Sequence, residues 1–164
     1  MTAETAFQIV NLGVLPFWLL LLVAPRWKWT QRIVHSVFIV AVLGAIHLIT
    51  VLTANFPEGT SGMSLRAAML MFDEPWAMVA CWVHYLAFDL FVGAWLVRDA
   101  IRRKIPHLAV VPCLVLTNQL GPTGFLAYLL LRAVLRRNIT FQEEAPSGRA
   151  PAPTQQHLGE RVPA

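Results

Sequence analysis

The chain has 164 residues, of which 57% are hydrophobic and 13% charged, with a mean hydropathy of +0.58, a formal net charge of +4 and a pI near 9.7. Ordinary soluble domains carry about 25% charged residues, so this composition excludes a wetted globule of that size and points to lipid as the solvent. The cations flank apolar runs, no zinc-finger spacing or aromatic RNA-binding motif is present, and nucleic acid is excluded as a partner.

Four apolar segments have the length that about 30 Å of hydrocarbon demands. The first covers about residues 6–24 and ends at Pro25. Only Glu4 is charged before Phe7, so a secretory signal with a basic start is not expected. The second covers about 33–54. A polar connection follows, with Gly59, Ser61 and Gly62, and then a short run from Ser64 to Phe72. Ser64 is a suitable N-cap, and Leu65, Ala68, Met69 and Phe72 share one side, which predicts a short interfacial helix.

The third segment starts at Pro75, a good first helical residue, and runs to about 97. The fourth covers about 108–135, with Gly121-Pro122 as a kink inside it. Thr117, Gly121, Gly124 and Tyr128 lie on one ridge and favour close helix packing. The expected fold is therefore all-α: a polytopic integral membrane four-helix bundle in residues 1–137. Residues 138–164, rich in Pro, Gln and Glu, predict a disordered polar tail.

Arg26, Lys28 and Arg32 in the first loop and Arg98, Arg102, Arg103 and Lys104 in the third mark the cytoplasmic side, which places the N-terminus outside. Four spans would then leave Arg132, Arg136 and Arg137 outside as well, in conflict with the same rule. The Ala-, Arg- and Pro-rich style reads as bacterial, which implies an inner-membrane protein. Cys81 and Cys113 fall inside apolar runs and suggest buried thiols, not a disulfide framework.

A charged group at the centre of a membrane helix costs about 2.5–3.5 kcal/mol, so each needs a reason. Asp89 sits near the middle of the third segment. Its plainer role is a buried acceptor for a neighbouring helix. Tyr85 and Asp89 are four apart, and Trp82 and Asp89 seven apart, so these share a side with Glu74 at the mouth of the helix. His84 lies about 140° round from Asp89, on a ridge with Cys81 and Phe88. His47 on the second segment, Asn118 and Gln119 on the fourth and Asn11 on the first reach similar depths. This constellation predicts an intramembrane site with Glu74, His84 and Asp89 as acid/base groups. His47, Trp76, Trp82, Tyr85, Phe88 and Asn118 would bind substrate. No His-x-x-x-His or Glu-x-x-His pair is present, so neither a metal nor another cofactor is expected.

The sequence resembles the plant neoxanthin synthase family, the abscisic-acid-deficient type of small plastid membrane protein. The matching residues are Val14-Leu15-Pro16-Phe17, Val23-Ala24-Pro25 and Val42-Leu43-Gly44. Gly62, Met71-Phe72 and Glu74 follow, then Trp82, His84 and Asp89-Leu90-Phe91. Asp99, His107, Cys113, Pro122 and Gly124 close the match. His47 has no counterpart in that pattern, and the spacing from Cys113 to Pro122 is longer here, so Asn118 is not carried over. The resemblance implies action on, or binding of, a carotenoid-like isoprenoid lipid, with conversion of the epoxide violaxanthin to the allene neoxanthin as the model reaction. That isomerisation needs an acid at the opening epoxide oxygen and a base at the polyene side. A non-enzymatic scaffold that presents lipid to a partner enzyme and a small proton or ion pathway are the competing readings. The sequence is compatible with an oligomer.

Overall fold

The computed structural model describes residues 1–36, 38–60 and 64–137. Every regular element among them is an α-helix: α1 (Ala3–Val23), α2 (Lys28–Ile33), α3 (Phe38–Thr53), α4 (Leu65–Asp73), α5 (Pro75–Arg102), α6 (His107–Leu120) and α7 (Pro122–Arg136). Two of these, α1 and α5, are long and apolar enough to cross a membrane, while α3 and α6 are apolar but shorter, at 16 and 14 residues. The tail expected from residue 138 lies outside the described residues.

Local chemistry sets the boundaries. Thr2 caps α1 by accepting from the Thr5 amide at 3.2 Å. The expected second segment starts later than its apolar run, because residues 28–33 form a separate turn of helix. There Thr30, fully buried, donates its hydroxyl to the Ala24 carbonyl at 2.7 Å and folds the chain back under α1. The short helix expected from Ser64 is α4, with the Ser64 hydroxyl accepting from the Ala67 amide at 3.1 Å. Glu74 ends α4 and caps α5, and Pro75 occupies the first turn of α5, where its missing N–H costs nothing.

α5 is the hub. It packs against α1, α3, α4, α6 and α7, and it buries Val83, Leu86, Leu90, Leu96 and Val97 at its centre. Val14, Trp18 and Leu21 of α1, Val110 and Leu114 of α6 and Tyr128 of α7 complete the core. α1 runs parallel to α5: the Trp82 indole N–H donates to Asn11 Oδ1 at 3.3 Å, and His107, just beyond α5, bonds the Leu22 carbonyl at 2.9 Å. α3 runs the other way, with His47 against Ala80 and Val40 grouped with Ala94 and Arg98.

The expected fourth segment departs most from expectation. Residues 108–135 are not one kinked helix but two helices folded back on each other at Gly121. The chain reverses there with φ 48° and ψ −102°, a region open to glycine and strained for other residues. Gly124 then lets α7 press on α6: a Cβ at that position would lie 2.1 Å from the Thr117 amide nitrogen. As α7 advances from Gly121 to Arg132, its neighbour on α5 changes from Asp89 to Asp99, so α7 returns toward the end of the bundle from which α6 started. There Arg136 donates to the Lys104 carbonyl.

This reversal sorts the charges. Arg26, Lys28, Arg32, Arg98, Arg102, Arg103 and Lys104 stand at one end of the bundle, and Arg132, Arg136 and Arg137 join them. Glu4, Glu58, Asp73 and Glu74 stand at the other end, with Arg66. The conflict raised by the three C-terminal arginines is thereby removed.

Candidate functional site

A cavity of about 680 Å³ opens along α5 between α3, α4 and the α6–α7 turn. Two adjacent ridges of α5 wall it. Cys81, His84 and Phe88 form one, at spacings of three and four, and Trp82, Tyr85 and Asp89 form the other. His47 of α3, Phe72 of α4, Met78 and Pro122 complete the lining.

Asp89 lies where the cavity meets the reversal of the chain. It shares a face of α5 with Tyr85, one turn earlier, and both side chains line the cavity. Its Oδ1 packs on Gly121, where a Cβ would come within 2.9 Å of it. Its Oδ2 is buried and has no hydrogen-bond partner among the described residues. A carboxyl group left so in an apolar setting is unusual, because buried polar atoms are nearly always paired.

The histidines meet across two helices. The rings of His47 and His84 are 5.3 Å apart, and His84 also packs on Phe88 at 4.6 Å. His47 Nδ1 is 2.9 Å from the Ala80 carbonyl, which can only accept, so this nitrogen carries the hydrogen and Nε2 is the lone-pair nitrogen of the neutral ring. Trp82 stacks on Tyr85 at 5.5 Å and meets Phe7 of α1 at 5.1 Å. The site thus offers one carboxyl group, two imidazoles and a run of aromatic faces around a volume suited to an apolar molecule.

The structure brings together His47, Trp82, His84, Tyr85, Phe88 and Asp89 of the residues expected from the sequence. It does not bring Glu74, Trp76 or Asn118 to that cavity. Glu74 uses its carboxylate on the Ala77 amide as the helix cap. Trp76 packs against the core. Asn118 accepts from Gln119 at 2.8 Å and borders a second apolar cleft, between α1 and α6. No cluster of three or more His, Cys, Asp or Glu side chains suited to a metal occurs among the described residues.

A second polar centre escaped sequence reasoning. Asp99, 2% exposed, accepts from Tyr128 at 2.7 Å, from Arg132 Nη1 at 3.2 Å and from Arg103 Nε at 3.0 and 3.1 Å. Arg102 adds an ion pair at 3.5 Å. Tyr128 and Arg132 are both fully buried, a cost that these partners offset. The four-residue step from Tyr128 to Arg132 was a visible signal of one helix face. Their partner on α5 was not visible, being about 30 positions away in the chain.

Comparison with known proteins gives the family of the chain. The family model described as ABA DEFICIENT 4-like matches residues 5–128, which takes in all but the first two residues of α1, the whole of α2 to α6, and the reversal at Gly121. A curated relative, Protein ABA DEFICIENT 4, chloroplastic, of Arabidopsis thaliana, is 25% identical over 142 residues, covering 81% of this chain and 63% of that protein. The chain therefore spans less than two thirds of the length of that relative. No solved structure matches the chain. With the match running through the helices that build the cavity, the chain belongs to the ABA DEFICIENT 4-like family.

Proposed function

We infer that this protein is embedded in a membrane and that its α5 cavity takes a lipophilic isoprenoid of the carotenoid class, which it converts by acid/base isomerisation without a cofactor. α1, α3 and α5 cross the bilayer in this reading, with α4 at the interface and the N-terminus outside, in the inner membrane of a bacterium. The observation that carries it is the pairing of one cavity of about 680 Å³ with Asp89 at its inner end and the His47–His84 pair on its wall. The family membership supports the substrate class, through the resemblance to neoxanthin synthases.

Asp89 is the acid. Its proton goes to the oxygen of a strained ring ether as that C–O bond breaks, leaving a hydroxyl group. The base, His84 or the Nε2 of His47, takes a proton from the polyene carbon, and the electron pair so released forms the new carbon–carbon double bond. The product has the mass of the substrate, so no oxidant or reductant is needed. Trp82, Tyr85 and Phe88 supply flat apolar faces for the polyene and its end ring. Glu74 serves the fold as a helix cap.

A carotenoid-accumulating bacterial host tests the substrate class. Membranes carrying the tagged protein are purified in mild detergent, and co-eluting pigment is identified by chromatography and mass spectrometry. Retained carotenoid in stoichiometric amount supports the reading, and a colourless, pigment-free preparation across several carotenoids contradicts it. Pigment retained without any isomeric product would favour a lipid-presenting partner of another enzyme.

A further inference from the structure

We propose that α6 and α7 form a re-entrant hairpin that enters and leaves the bilayer at the basic end of the bundle and floors the cavity at mid-membrane, so that the cavity draws its ligand from one leaflet, the one at the acidic end. The second half of this inference rests on the lipid reading of the cavity; the first half does not.

The reversal at Gly121 carries the first step. α6 and α7 have 14 and 15 residues, so each rises about 21–23 Å, short of a hydrocarbon core of about 30 Å. They cannot cross as one helix, because the chain reverses at Gly121. Both ends of the pair are tied to the same level: Arg136 bonds the Lys104 carbonyl, and Arg132 and Tyr128 close on Asp99 near the end of α5. The tip lies near the middle of α5, against Asp89 and Tyr85.

Irregular backbone at membrane depth is tolerated only where protein buries it or where it lines a cavity. The tip meets both conditions, since Gly121 is buried and Pro122 lines the pocket. The rest of the lining lies on the acidic-end side of Asp89: Phe72 and Met78 near the start of α5, and His47 beside Ala80. Toward the basic end, the cavity meets the tip, whose Gly121 packs on Asp89 and Tyr85. The lining of the cavity therefore lies from Asp89 toward the acidic end, with the tip as its floor.

Two measurements on the whole chain test this. With Cys81→Ser and Cys113→Ala as background, single cysteines at Lys28→Cys, Thr60→Cys and Arg137→Cys are treated with a membrane-impermeant maleimide in vesicles of either orientation. Arg137→Cys should label together with Lys28→Cys and opposite to Thr60→Cys. Labelling of Arg137→Cys on the side of Thr60→Cys would overturn the hairpin. Phosphatidylcholine with a diazirine in its acyl chain is then exchanged into a single leaflet and photolysed. Cross-links between Met78 and Phe88 should arise from the acidic-end leaflet alone. Equal cross-linking from both leaflets would overturn the one-sided cavity. No cross-link from either, with Arg137→Cys labelled as expected, would remove the lipid reading and the leaflet preference together.

Discussion

Arg132, with no solvent exposure, places Nη1 3.2 Å from Oδ2 of Asp99, joining the last helix to the central one through a buried ion pair. Breaking one side of such a pair leaves a buried charge uncompensated, which costs about 3–5 kcal/mol. Asp99→Asn and Arg132→Met should each lower the unfolding midpoint in detergent sharply. The double variant should be less destabilised than the sum of the two, because both charges leave together. Strict additivity in that cycle would show that the pair is not coupled.

Tyr128 gives a gentler probe of the same centre. Its hydroxyl donates to Asp99 at 2.7 Å, and Tyr128→Phe removes one donor while three arginines remain. A loss of about 1–3 kcal/mol is expected, with cavity binding unchanged. Equal loss of stability in Tyr128→Phe and Arg132→Met would contradict the ranking of charge over hydroxyl.

At Gly124 the prediction is steric. A methyl group would press into the Thr117 backbone, which cannot rotate away, so Gly124→Ala must spread α6 from α7. Overpacking of this kind costs about 1–3 kcal/mol. Thermal unfolding in detergent would read it; an unchanged midpoint would mean that the two helices are not held at this contact.

Gly121→Ala separates site from scaffold. The positive φ strains any side chain there by about 1–3 kcal/mol, and the new Cβ would meet the Asp89 carboxyl and the Tyr85 ring. Ligand retention should fall in this variant even where folded protein can be recovered. Full retention would place the ligand away from the tip.

Much of the site was legible because α5 is a regular helix whose faces follow from residue spacing. An aspartate inside an apolar run, with a tyrosine four residues earlier, is a local signal, and both residues do line the cavity. The separation of His84 from Asp89 by about 140° suggested different faces. The cavity wraps two ridges of α5, so both residues border it, a fact that depends on how far α3 stands from α7. Glu74 looked chemical and serves as a cap, since a carboxylate just before Pro75 satisfies both patterns. The reversal at Gly121 was hidden because Gly-Pro within an apolar run fits a kink as well as a full turn. The three arginines at the wrong end of a fourth span were its only trace, and the choice between kink and turn was made by tertiary contacts at Asp89 and Asp99.

In the proposed reaction, Asp89 is the acid for a lipid held in the α5 cavity. A general acid contributes about 10²–10⁴-fold to rate. The most direct measurement is pigment conversion in a carotenoid-accumulating host carrying the wild-type protein or Asp89→Asn at equal membrane levels, read by chromatography and mass spectrometry. An isomeric product of unchanged mass is expected with the wild type, and its loss, by about 100-fold or more, in Asp89→Asn, with the protein still folded and still retaining pigment. Conversion at the wild-type rate in Asp89→Asn would contradict it.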